Sequence, residues 1–206
     1  VAVGRTSLTA NTTGDSNVGI GFTALNSNTT ANNNVGIGHG ALGANTTGAS
    51  NVAVGYGTLD ANVTHSNNVA IGLNALGAST ADDNTAVGSG AGDAVTTGNG
   101  HVLVGRNAGT ALTTGNESVA IGGNALAAAT TASSNVAVGY LALTANTSGT
   151  DNTAVGYAAL DANTTGNDNT AIGDGALGAN TTANSSVAVG SASLAANTTG
   201  ARNIGI

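Results

Sequence analysis

A four-residue box, Val or Thr, then a small residue, then Val or Ile, then Gly, recurs along the whole chain. Its Gly stands at positions 4, 21, 38, 55, 72, 88, 105, 122, 139, 156, 173 and 190, and residues 204–206 open a further copy. Every step is 17 residues except the 16 between Gly72 and Gly88. Self-similarity at a fixed short period constrains the fold more than any single residue does, because each repeat is one structural unit that buries its apolar face against its neighbours. Seventeen residues are too few for a two-helix repeat. The box alternates with period 2 and carries β-branched residues at both ends, as in Val52 and Val54 or Val136 and Val138, so it predicts a strand. After the Gly most repeats run x-x-Ala-Leu-x-Ala-Asn-Thr-Thr-Gly, as from Tyr157 to Gly166. Leu160 and Ala162 would share one face, and Asn163 and Gly166 would bracket a turn. Two short strands and two turns per repeat give one rung of an all-β solenoid, a parallel β-roll of about twelve 17-residue rungs. At a strand spacing of about 4.8 Å such a stack is on the order of 50 Å long.

Composition closes off most other classes. The 206 residues include 33 Gly and four aromatics, with no Pro, Cys, Met or Trp, which is too little bulk for an ordinary globular core. Apolar residues at 40% and a net charge of −7 from ten acids and three arginines argue against disorder. With no Lys, and Arg5, Arg106 and Arg202 as the sole cationic side chains besides His, no clustered positive charge is present to neutralise phosphates, so no nucleic-acid partner is expected. No apolar run of about 18 residues occurs, so this segment is not expected to insert in a membrane. Absence of Cys removes disulfides and thiolate metal sites. Residues 1–206 form a single repeat array, which begins and stops inside a repeat and so suggests an excerpt of a longer fibre.

In a stack, each repeat position becomes a ladder running along the rod. The residues three and one before the Gly form two apolar ladders, and Leu four after it, from Leu8 to Leu194, forms a third; all three are expected to fill the roll. Gly92 and Gly109 interrupt the Leu ladder and are followed three residues later by Val95 and Leu112. Together with the short step after Gly72 this predicts a bulge or altered turn in residues 85–115. Between the two β-branched ladders runs a stripe of small residues, Ala53, Ala70, Ala86, Ala120, Ala137, Ala154, Ala171 and Ala188, with Leu103 its one large member. On an outer face this stripe would let another backbone approach closely, so it is expected to be the oligomer interface. Asn17, Asn34, Asn51 and their equivalents, replaced by His101, Ser118 and Ser186 in three rungs, form an architectural ladder of stacked amides.

Candidate chemistry is sparse. The ten acids scatter over several columns, Glu117 is the sole Glu, and His39, His65 and His101 occupy three different columns, so neither catalytic residues, a metal site nor a cofactor is expected. Asn-x-Thr/Ser triplets at Asn11, Asn28, Asn45, Asn62, Asn146, Asn163, Asn180 and Asn197 are better explained by turns than by glycosylation. Adjacent Thr pairs such as Thr12 and Thr13 would face opposite ways, which argues against a flat ice-binding row. One column does look functional. The residue after the marker Gly includes all four aromatics and two of the three arginines, and Phe22, His39, Tyr56, Leu73, Arg106, Tyr140 and Tyr157 within it are the candidate binding residues of an outward-facing row.

The boxes Asn-Val-Ala-Val-Gly at 51–55, Asn-Val-Ala-Ile-Gly at 68–72 and Asn-Thr-Ala-Ile-Gly at 169–173 resemble the head repeats of trimeric autotransporter adhesins, the YadA-like head family, and similar repeats occur in bacteriophage tail fibres. The resemblance extends over nearly the whole chain. It implies a left-handed roll, a homotrimer about a common axis and a role in attachment at a cell or virion surface. The expected function is thus a non-enzymatic extracellular fibre segment that binds a cell-surface or matrix receptor. The competing expectation is a structural filament or tail-fibre shaft that joins head to tail.

Overall fold

The computed structural model describes all 206 residues, Val1–Ile206. Each box is a strand: β1 (Ala2–Val3), eleven three-residue strands from β2 (Val18–Ile20) to β12 (Val187–Val189), and β13 (Ile204–Gly205). All thirteen lie in one sheet in sequence order, each parallel to the next. Val52, Ala53 and Val54 sit opposite Val69, Ala70 and Ile71, so equivalent repeat positions face one another. The chain therefore coils once per repeat into a parallel β-solenoid, and twelve strand intervals of about 4.8 Å make it about 58 Å long.

Each rung contains one strand, not two. The residues expected to form a second strand are turns, built on left-handed residues two, four and twelve positions after the marker Gly: Thr23 at φ 55°, Leu25 at φ 52° and Asn33 at φ 60° in one rung. A left-handed Leu costs about 1–2 kcal/mol, yet ten rungs carry one, from Leu8 to Leu194. Pairing between turns holds them there. Of 135 main-chain hydrogen bonds, 112 lie outside the strands; Leu25 N donates to Ala41 O of the next rung (3.0 Å) and Thr29 N to Thr46 O (3.1 Å). The whole rung, and not the strand alone, is the unit that stacks.

The two faces of the strand are the reverse of those expected. Ala53, Ala70, Ala86, Ala120, Ala137, Ala154, Ala171 and Ala188 are fully buried inside their own chain, within a continuous apolar core. They cannot be an interface with another copy. The Val and Ile ladders on either side of them point outward and stay partly exposed, Ile71 at 39% and Ile172 at 42%. Space decides this assignment. Opposite the Ala stripe lies the Leu ladder, and beside it a second small row including Ala41, Ala75 and Ala159, so the core is Leu held between two rows of mostly Ala. The fit is tight: a Cβ on Gly36, in the Ala stripe, would lie 3.1 Å from Leu25 Cγ. Two β-branched ladders would overfill a roll this narrow.

The altered geometry expected at residues 85–115 is also absent. β6 (Thr85–Val87) and β7 (Val102–Val104) pair with each other and with their neighbours in unbroken register. The core is rebuilt by side chains instead. Leu103 replaces Ala in the stripe and fills the space that Gly92 and Gly109 vacate; a Cβ would come within 2.7 Å of its Cδ1 at Gly92 and within 2.8 Å of its Cδ2 at Gly109. Val95 and Leu112, fully buried, complete the patch. The missing residue is taken up earlier, at the corner 80–83. There Thr80 N still reaches Thr96 O (2.9 Å) and Asp83 N reaches Ser66 O (3.2 Å).

Candidate functional site

The column after the marker Gly gathers all four aromatics and two of the three arginines of the chain, and the backbone places it outward. The marker Gly takes φ between 119° and 142°, which turns the chain out of the strand. Phe22, His39, Tyr56, Leu73, Arg106, Tyr140 and Tyr157 are all exposed, Tyr56 and Tyr157 at 57% each. The stack brings them into two clusters. In the first, the Arg5 guanidinium lies 5.7 Å from the Phe22 ring centroid, Phe22 meets His39 edge to face at 5.0 Å, and His39 meets Tyr56 likewise at 5.0 Å. In the second, Tyr140 and Tyr157 stack at 5.9 Å with 19° between their planes. Such aromatic and cation–π contacts contribute about 0.5–1.5 kcal/mol each, enough to hold the rings in ordered ladders. Leu73, next to Tyr56 at the end of the first cluster, and Arg106, between Ser89 and Gly123, belong to neither set of ring contacts. Hydrophobic periodicity could not show this ladder; the repeat alignment does, because all four aromatics fall in one column.

Beside this row run the two Val and Ile ladders. Together they cover the outer face of the sheet with apolar side chains along the length of the rod, interrupted only by Thr85, Thr153 and Thr170. Sequence reasoning placed them inside. The signal for their true position was the Leu column: one Leu per rung already accounts for the large side chains that the interior accepts.

The polar ladders are structural. Asn34 does two jobs: its main-chain N–H donates to Asn17 Oδ1 (2.9 Å), and its Nδ2 donates to Gly48 O of the next rung (2.8 Å). A second amide ladder links Asn45 Nδ2 to Asn28 Oδ1 (3.1 Å) and to Gly48 O (2.9 Å). Asn28, Asn45, Asn62, Asn146, Asn163 and Asn180, each the Asn of an Asn-x-Thr/Ser triplet, are fully buried there, so the folded rod offers them to no modifying enzyme. The ladder stops at Ser79, leaving Asn62 Oδ1 and Ser79 Oγ without partners. The Thr pairs lie at a bend, where both members of most pairs are exposed or half-buried instead of facing opposite ways. In the first row of the pair the hydroxyls are committed to the main chain of the next rung, as Thr96 Oγ1 is to Thr113 O (2.9 Å).

His101 stands in for Asn: its main-chain N–H donates to Asn84 Oδ1 (3.0 Å), and its ring both reaches the next rung and accepts from it. Ser118 N donates to its Nδ1 (3.2 Å), so Nε2 carries the proton and donates to Gly115 O (2.7 Å). Protonating Nδ1 would orphan the Ser118 N–H and bury a charge. Burial holds the pKa below its ordinary 6.5, against an opposing contribution from the bond to Gly115. A histidine whose folded-state pKa is depressed takes up its proton first in the unfolded chain, so stability is complete above pH 6.5 and is lost as pH falls below it. His101→Asn should remove this dependence, flattening the denaturation midpoint between about pH 7 and about pH 5. An unchanged slope would locate the titration elsewhere.

No group of three or more His, Asp or Glu side chains is placed to hold a metal ion, and the surface has no enclosed pocket. Comparison of the chain with protein-family models, curated proteins and solved structures gives no match.

Proposed function

We propose that the chain is a non-enzymatic segment of an extracellular fibre, displayed on a cell or virion surface, whose outward row attaches to a cell-surface or matrix receptor. In this reading the rolls are left-handed and bundle three to an axis. The bundle forms through the Val and Ile ladders, because the Ala stripe is already consumed by the core. The observation that carries the reading is the continuous apolar strip those ladders make. At about 58 Å by about 10 Å it is on the order of 600 Å², the upper end of what a lone soluble protein leaves uncovered. Packing three strips together buries them and leaves the variable row outside, where rigid aromatic side chains are suited to recognising a partner.

The test has two arms. Ile121→Gln with Ile172→Gln should reduce the sedimenting species from three chains to one while the far-ultraviolet spectrum is unchanged; an unaltered mass would remove these ladders as the interface. Tyr140→Ala with Tyr157→Ala should leave the mass alone and lower adhesion of the labelled rod to cell and matrix surfaces by at least tenfold. Undiminished adhesion would leave the tyrosines with a purely architectural role.

A further inference from the structure

The outward row is complementary to itself when reversed. It has one residue per rung, at a pitch of about 4.8 Å, running from Arg5 in the first rung through Ser89 in the sixth to Asp174, its sole acid, in the eleventh. If a second copy is laid antiparallel with the two Ser89 residues facing, Arg5 meets Asp174, Phe22 meets Tyr157, and Tyr56 meets Gly123. The last pair is a fit of shape. Gly123 has no side chain, and a Cβ there would lie 3.2 Å from Tyr140 Cδ2, so the Tyr140 ring is uncovered on that side and open to stacking by an incoming Tyr56. A shift of one rung in either direction separates Asp174 from Arg5 and moves Tyr56 off Gly123.

We infer that this row is a self-recognition surface, whose partner is a second copy of the chain running antiparallel about a two-fold axis at Ser89. The inference rests on the reading of the row as displayed, and names what it binds. Every contact occurs twice across such an axis. The row is about 48 Å long from Arg5 to Asp174 and about 10 Å wide, on the order of 500 Å² per copy, short of the about 800 Å² per partner of a stable complex. The association is therefore weak between single rods and strengthens where several rods meet at once. It joins fibres side by side, from opposing surfaces, without altering the bundle within each.

Charge exchange tests it in the full chain. Arg5→Asp alone sets acid against acid at both ends of the pair, and Asp174→Arg alone sets base against base, so each should weaken concentration-dependent association in sedimentation velocity by roughly tenfold. The double variant should recover it, and so should an equimolar mixture of the two single variants, in which both contacts are again opposite in sign. Because the chain has no cysteine, Tyr56→Cys and Gly123→Cys can report register: mild oxidation of their mixture should give the 56–123 disulfide dimer. Failure of the mixture to recover association, self-linkage of Tyr56→Cys alone, or a wild-type chain that shows no association with concentration would each overturn the proposal. The mass of the smallest species, which reports the Val and Ile interface, is read independently in the same runs, so failure of one reading is not confused with failure of the other.

Discussion

Replacing Leu103 by Ala should destabilise the rod by about 3–5 kcal/mol, although Ala is the usual residue of its column. The side chain is fully buried and lies over both Gly92 and Gly109, so truncating it opens a cavity shared by two successive rungs that no neighbour can close. The reverse error is equally costly. Gly109→Leu alone, which restores the usual residue of its own column, would drive a Cβ to 2.8 Å from Leu103 Cδ2 and 2.9 Å from Leu112 Cδ1. Changing all five positions together, Leu103→Ala with Gly92→Leu, Val95→Asn, Gly109→Leu and Leu112→Asn, returns these rungs to the common pattern and should recover most of the loss. Urea unfolding of the single and combined variants gives the coupling directly. Additive losses would show that the five residues do not share one cavity.

Gly105→Ala should be at least as damaging, at about 3 kcal/mol or more. Its φ is 131°, a conformation L side chains rarely adopt, and its new Cβ would stand 2.6 Å from Gly122 O and 2.7 Å from Gly122 C. Both obstacles are main chain, and the same contact recurs between successive marker glycines, so the rung spacing itself would have to open. The thermal midpoint should fall by about 6–12 °C or more, or the transition should split into two, one for each side of the defect, as expected of a quasi-one-dimensional array. A fall no larger than that of an exposed Gly→Ala change would mean that the stack relaxes locally at little cost.

The solenoid, its period and its parallel in-register pairing were legible because they follow from spacing alone. The outward position of the aromatic column was legible too, since a row that accepts Arg5, Tyr56 and Asp174 at equivalent places cannot be core. What alternation could not supply was the sign of the faces. A Val-Ala-Val strand is apolar on both sides, so the pattern identifies two faces without saying which is inside, and the usual preference for the bulkier face inside points the wrong way here. The interior takes one Leu per rung between small residues and has no room for two more branched side chains. The second strand was misplaced for a related reason. Leu25 and its equivalents adopt φ near 50°, which intrinsic preference disfavours and only stacking against the next rung sustains. Rebuilding around Leu103 was half visible: Val95 and Leu112 were recognisable as substitutes, but that the large residue from the opposite wall fills both gaps depends on distances across the roll.

The short rung has a consequence for how such arrays change length. The corner 80–83 gives up a residue while the strands on either side keep full register, so the inward-facing positions of the next rung are undisturbed. Deletions at this corner, and by the same geometry insertions, escape the parity constraint that governs the strands, where a slip of one residue would exchange inside for outside. Lineages carrying this architecture are free to elaborate or trim that edge of the rod rung by rung, and grafted peptides are best accepted there.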